Sequence, residues 1–144
     1  MRIVLDSSIL VRAFGDTRGL ASALLIRIVE DSHILLVSNE ILQEVAKVLR
    51  YPQMMRLHGL PEERVYDFMG YLRERAEMVT LNPLLNPATR DLNDVAVMQT
   101  AIFGDAAILC SKDKDFFSPP AFDYLAHLGI AVLDDIALMQ RLRA

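Results

Sequence analysis

The sequence lacks the features that mark disulfide-rich and zinc-binding proteins. One cysteine, Cys110, occurs in 144 residues, so no internal disulfide can form. It ends an apolar run, and we expect a buried, unreactive thiol there. The three histidines, His33, His58 and His127, fall into no metal-ligand spacing, and we expect them at the surface or at strand entries.

Long apolar runs and an excess of basic residues are also absent. No stretch approaches the roughly 20 residues needed to cross a bilayer, and the apolar run after Arg2 is too short for a signal peptide. We therefore expect a soluble, cytoplasmic protein. The net charge of −4 argues against a free-standing, non-specific nucleic-acid binder. It leaves open a metal-dependent enzyme that acts on phosphates, because its cations would face the substrate.

What the sequence does contain is an alternation of short apolar runs and amphipathic segments. The apolar runs predict buried parallel strands at 3–5, 34–37, 78–81, 106–110 and 130–133. Helices are predicted at 9–15, 19–31, 39–50, 61–76, 94–104, 121–128 and 134–143. The expected fold is α/β: one domain over 1–144, a three-layer α/β/α sandwich around a central parallel sheet.

Two segments between these elements are predicted to be irregular. Residues 51–60 are expected to form a connector packed down by Met54, Met55 and Leu57. Residues 82–90 are expected to form a loop, because two Asn-Pro pairs within them are turn signals.

Acidic residues cluster at the carboxyl ends of the predicted strands. Asp6 ends the first strand, Asp113 and Asp115 follow the fourth, and Asp94 begins the helix that leads to the fourth. Right-handed crossovers line these ends up along one edge, where open α/β sheets bind ligands. Glu44 lies in the second turn of the helix after the second strand, beside its buried face.

Carboxylates gathered in one pocket repel one another and resist ionisation, and a hard divalent cation relieves that repulsion. Oxygen donors without histidine or cysteine predict Mg²⁺ or Mn²⁺ rather than zinc. Taken singly, each acid has a simpler explanation as a helix cap, a charged turn or a solvated helix residue. Their shared position at one edge favours a site.

Four motifs carry a resemblance to a known family. In order they are Asp6-Ser7-Ser8-Ile9-Leu10, Ser38-Asn39-Glu40-Ile41-Leu42-Gln43-Glu44-Val45, Arg90-Asp91-Leu92-Asn93-Asp94 and Ser111-Lys112-Asp113-Lys114-Asp115-Phe116. They resemble the four motifs of PIN-domain nucleases, and most of all those of the VapC-like toxins of prokaryotic toxin–antitoxin pairs. Each motif alone is weakly specific, whereas four in order cover nearly the whole chain.

The resemblance implies a Mg²⁺- or Mn²⁺-dependent endoribonuclease that works with one or two metal ions. The implied catalytic acids are Asp6, Glu44, Asp94 and Asp113, and the implied metal ligands are Asp6, Asp94, Asp113 and Asp115. Asp94 is favoured over Asp91 as the third acid, because apolar residues after Asp94 continue a helix; Asp91 remains the alternative.

Further positions follow from the same resemblance. Ser8, which stands where many relatives have asparagine, Asp91 and Ser111 are accessory positions. Candidates for contacts with the RNA backbone are Arg12, Lys47, Arg50, Lys112 and Lys114, although a solvated surface explains each of them singly. A homodimer and a small antitoxin partner are also expected.

Two other functions compete with this interpretation. A phosphoacceptor receiver domain has a similar architecture, but it needs an aspartate at the end of the third strand. Here that strand leads from Leu81 into Asn82, which counts against a receiver. A PIN-like domain that binds RNA or protein without cleaving is the second alternative; the complete set of acids argues against it.

Overall fold

The structure, a computed structural model, describes residues 1–82 and 92–144, without the side chains of Leu92 and Asn93. Within these residues, five strands form one parallel sheet in the order β3-β2-β1-β4-β5. The strands are β1 (Arg2–Leu5), β2 (Ile34–Ser38), β3 (Glu77–Val79), β4 (Ile108–Cys110) and β5 (Ala131–Leu133). The predicted α/β fold with a central parallel sheet is confirmed.

Strand β1 is the centre of the sheet. Ile3 is in register with Leu35 of β2 on one side and with Ile108 of β4 on the other, and all three side chains are buried. Strands β2 and β3 lie in turn on one side of β1, and β4 and β5 lie in turn on its other side. The order of strands therefore reverses between β1 and β4, where sheets of this kind bind ligands.

Helices cover the sheet in two layers. They are α1 (Ser7–Gly15), α2 (Leu20–Glu30), α3 (Asn39–Leu49), α4 (Pro52–His58), α5 (Glu62–Arg75), α6 (Leu92–Phe103), α7 (Ala121–His127) and α8 (Asp135–Arg143). Helices α2, α3 and α5 pack on β2, whereas α6 packs across β1, β2 and β4 and α7 packs on β5. Because crossovers are right-handed and the strand order reverses, these two groups lie on opposite faces of the sheet.

Ser38 fixes the end of β2 and the start of α3. Its Oγ accepts a hydrogen bond from Ile41 N at 3.3 Å and so caps α3. It also accepts one from Thr100 Oγ1 at 2.9 Å, inside the protein. Helix α6 is thereby tied to the edge of the sheet where β2 ends.

The prediction of an irregular connector at 51–60 is wrong. Pro52 begins α4 instead, because proline suits the first turn of a helix. Leu57 is 78% exposed and Met55 is exposed too, so only Met54 of the three packs against the core.

His58 is half-buried rather than fully at the surface. Its Nε2 donates to the Leu49 carbonyl at 3.0 Å and its Nδ1 accepts from Leu60 N at 2.9 Å. The ring packs edge-on against Phe14. This histidine therefore fastens α4 to its neighbours.

Other element boundaries differ by a few residues. Strand β3 covers Glu77–Val79 rather than 78–81, and α6 begins two positions before Asp94. The segment after β4 contains a 3-10 helix, Lys114–Phe117. The predicted loop at 82–90 lies outside the described residues except for Asn82. No helix of the described ranges has the length and apolar character required to cross a membrane.

Candidate metal centre

Asp6 and Ser111 meet where the strand order reverses. Asp6 directly follows β1 and is 6% exposed, and Ser111 directly follows β4 and is fully buried. The Ser111 hydroxyl donates to Asp6 Oδ2 at 2.6 Å, and the Ser7 hydroxyl donates to Asp6 Oδ1 at 3.3 Å. Asp6 makes no side-chain hydrogen bond that caps α1, so helix capping does not explain this buried acid.

Burial raises the pKa of the Asp6 carboxyl above its ordinary value, because the charged form loses contact with water. Hydrogen bonds from Ser111 and Ser7 act in the opposite direction, and the charge of Asp113 raises the pKa further. A cation beside Asp6 would stabilise the charged form that burial disfavours.

Three other acids form a tight cluster at the same edge. One carboxylate oxygen from each of Asp94, Asp113 and Asp115 lies within 4.8 Å of the others. Asp94 is buried in the first turn of α6, Asp113 is half-buried and Asp115 is exposed. All the donors are oxygens, which fits Mg²⁺ or Mn²⁺ and does not fit a structural zinc site.

Backbone geometry connects this cluster to Asp6. Asp113 N donates to Ser111 Oγ at 3.0 Å, and Asp115 N donates to Asp113 Oδ1 at 3.0 Å. Ser111 thus contacts both Asp6 and the turn that presents Asp113. Asp6 is not a member of the 4.8 Å set.

Glu44 is half-buried on α3 and is likewise outside that set. It lines a cavity of about 340 Å³ together with Ser7, Lys47 and Ala96. The cavity brings α3 next to the start of α1 and the first turns of α6, which are the helices that follow Asp6 and contain Asp94. Glu44 therefore shares a cavity with Ser7, whose hydroxyl donates to Asp6.

Ser7, rather than Ser8, contacts Asp6. Ser8 is exposed on α1. The motif places both hydroxyls beside the acid, and the pattern alone offers no way to choose between them. Asp91, the alternative third acid, lies outside the described residues.

The candidate RNA contacts fall at different places. Lys47 borders the Glu44 cavity, and Lys112 and Lys114 line a cavity of about 410 Å³. Arg12 lines a larger cavity of about 490 Å³ between α1, α2 and α4, which none of the three clustered acids lines. Arg50 pairs with Glu62 at 2.7 Å, so its charge is directed toward α5.

Asp135 is a buried acid that the motifs did not indicate. It is 6% exposed at the start of α8, and its Oδ2 lies 3.7 Å from Lys112 Nζ.

Cys110 lies at the end of β4, close to these acids. Burial, followed by the charges of Asp135, Asp134 and Asp6, raises the pKa of the Cys110 thiol to about 12. The predicted burial of Cys110 is confirmed.

Comparisons with known proteins agree with this architecture. The sequence model of the PIN domain matches residues 2–115. No curated protein matches the chain. Among solved structures, the chain is similar to that of VapBC2 from Rickettsia felis bound to a DNA fragment from their promoter. The TM-score is 0.62 and the sequence identity is 14%, and the match covers 93% of this chain and 98% of that one. This is a similarity of fold.

Proposed function

The chain belongs to the PIN-domain family, and on this basis we propose that it is a divalent-metal-dependent endoribonuclease that hydrolyses RNA phosphodiester bonds. The observation that supports the proposal is the set of three carboxylates within 4.8 Å of one another. The set lies next to the buried Asp6 at the reversal of strand order. A cation held there would offset the net charge of −4 where a polyanionic substrate approaches.

In this proposal Asp6, Asp94, Asp113 and Asp115 hold Mg²⁺ or Mn²⁺. The bound ion would supply Lewis-acid activation of water and neutralise charge at the phosphate. Ser111 orients Asp6, and its hydrogen bond favours the charged carboxylate and so opposes part of the effect of burial. Glu44, across the cavity from Ser7, orients water or accepts its proton.

The lysines would position the RNA backbone. Lys47 borders the Glu44 cavity, and Lys112 and Lys114 flank Asp113 in sequence and line a second cavity. Arg12 and Arg50 are outer candidates, and the ion pair of Arg50 with Glu62 reduces its availability. Such contacts hold the strand in place without selecting its sequence.

We further propose that the protein is the cytoplasmic toxin of a toxin–antitoxin pair, a homodimer with a small antitoxin partner. The similarity in fold to a chain of the VapBC2 complex supports this proposal. Growth arrest on expression, relieved by co-expression of a neighbouring small open reading frame, is the expected result. Unimpaired growth at high expression of a folded, active enzyme would contradict the toxin role.

A cleavage assay on total RNA tests the nuclease proposal. We expect fragments with wild-type protein and Mn²⁺, and none after EDTA is added. Asp94→Asn should abolish cleavage, whereas Asp123→Asn, at an exposed acid of α7, should cleave as the wild type does. Undiminished cleavage in EDTA, or by Asp94→Asn, would contradict the proposal. RNA binding that persists in EDTA without any cleavage would instead indicate a binding domain.

A further inference from the structure

A second cavity lies beside the chain segment that carries Asp113. It has a volume of about 410 Å³ and is lined by Lys112, Lys114, Phe117, Ser118 and Asp134. Lys112 and Lys114 are the immediate chain neighbours of the clustered Asp113. The cavity therefore lies beside the segment that carries Asp113, where it could receive a nucleotide next to a phosphate held at the acids.

The 3-10 helix Lys114–Phe117 presents one aromatic ring outward. Phe116 is fully buried and anchors the segment, whereas Phe117 is 39% exposed and lines the cavity. The Ser118 hydroxyl donates to the Lys114 carbonyl at 3.1 Å, which holds this turn closed. The exposed ring is thus placed by the fold beside two ammonium groups.

Asp134 lines this cavity and Asp135 lies next to it in the chain, and both carboxylates have partners. Asp134 Oδ1 accepts a hydrogen bond from Ala137 N at 2.8 Å and so caps α8. Asp135 is buried and lies 3.7 Å from Lys112 Nζ, where it restrains that side chain. Lys114 is exposed at the rim. The lining thus holds two ammonium groups against one carboxylate, beside an exposed aromatic ring, and basic and aromatic groups together are what sites for single-stranded nucleic acid present.

We infer that this cavity is a nucleotide subsite for single-stranded RNA, in which Phe117 stacks on a base and Lys114 and Lys112 hold the adjoining phosphate. The inference rests on the proposed function and adds to it Phe117 as a residue that contacts a base of the substrate. A duplex keeps its bases stacked inside and offers no free face to Phe117. Stacking accepts any base, so the subsite would add affinity without strict sequence choice.

Fluorescence anisotropy with two labelled probes of equal length tests this subsite: a short oligoadenylate and an abasic ribose-phosphate strand. Ca²⁺ replaces Mg²⁺, because it takes the same oxygen ligands, and a gel confirms that the strand stays intact. Phe117→Leu should weaken oligoadenylate binding at least about fivefold and leave abasic binding unchanged. Phe117→Tyr should restore the affinity, since its ring stacks equally well.

Phe122→Leu is the matched control. Phe122 is 38% exposed on α7 and does not line the cavity, so its loss should change neither affinity. Thermal melts show that each variant is folded. Wild-type binding that Phe117→Leu leaves intact, or a loss shared by the abasic strand, would overturn the subsite alone. Absence of any RNA binding by the wild type would overturn both the subsite and the RNA substrate of the proposed function.

Discussion

Ser111 and Asp6 lie 105 positions apart in the sequence and are joined by a hydrogen bond of 2.6 Å from Ser111 Oγ to Asp6 Oδ2. Both groups are buried, so water does not compete for the bond. The same hydroxyl accepts from Asp113 N, which links β1 to the turn after β4. The Ser111 side chain thus links the protonation of Asp6 to the position of Asp113.

Removing this hydroxyl should change how metal binding depends on pH. The hydrogen bond from Ser111 lowers the pKa of Asp6, so Ser111→Ala should raise it further. Because metal binds the deprotonated carboxylate, the pH midpoint of Mn²⁺ binding should move upward. Electron paramagnetic resonance of free Mn²⁺ across a pH series measures the midpoint. Ser8→Ala, at an exposed neighbour, should cause no shift; equal shifts in both variants would contradict the role of Ser111.

Asp6 should cost the metal-free protein stability at neutral pH. Its folded pKa is raised above the unfolded value near 3.9, so stability is lost as pH rises from about 3.9 through the folded pKa. Asp6→Asn removes the buried charge and should raise the melting temperature in EDTA at pH 7. The scale is roughly 2–4 °C for each kcal/mol gained.

The rise in melting temperature caused by Asp6→Asn should vanish below the pKa of Asp6 in the unfolded chain, because Asp6 is then protonated in both the folded and the unfolded state. Differential scanning calorimetry at acid and neutral pH measures this difference. Asp123→Asn, at an exposed acid, should show no gain at either pH. A lower melting temperature for Asp6→Asn at pH 7 would show that the charged form is favoured in the metal-free fold.

Loss of a clustered acid should weaken Mn²⁺ binding directly. Asp94→Asn and Asp113→Asn each remove a charged oxygen donor and should lower the affinity at least about tenfold. Titration to millimolar Mn²⁺ is needed, because a site completed by substrate phosphates binds metal weakly alone. Asp123→Asn serves again as the control. Equal affinity in all variants would place the metal elsewhere.

Two glycines in helix-associated positions should respond oppositely to alanine. A Cβ at Gly104 would lie 2.7 Å from the Thr100 carbonyl oxygen and 2.9 Å from Leu36 Cδ1, so Gly104→Ala should destabilise by about 1–3 kcal/mol. A Cβ at Gly70, inside α5, meets nothing within 4 Å. Gly70→Ala should stabilise by about 0.5–1 kcal/mol. Urea denaturation compares both, and a stabilised Gly104→Ala would disprove the close packing of α6 on β2.

Cys110 should resist modification in the native protein. It is fully buried, and burial with nearby acids raises its pKa to about 12, so little thiolate exists at pH 8. Ellman's reagent should react slowly with native protein and completely in denaturant. Rapid, stoichiometric reaction without denaturant would show that the end of β4 opens to solvent.

The sequence predicts the sheet well because buried parallel strands are continuous apolar runs. Asp6 was found for the same reason, since an acid that ends such a run stands at the ligand-binding edge. Helix α4 was missed because a proline can mark either the end of one helix or the first turn of the next. Pro52 follows α3 and also begins α4. Asp135 was missed because an acid at a helix start is ordinary, and only the fold shows that it is buried beside Lys112.

The long separation between Asp6 and Ser111 has a consequence in time. Synthesis proceeds at about 5–20 residues per second, so the 105 positions between them take roughly 5–20 s to translate. During that interval Asp6 has neither its buried hydroxyl nor the neighbouring turn of β4. A nascent chain therefore contains Asp6 long before it contains the other residues of the candidate metal centre. The acids can come together only once β4 has joined the sheet.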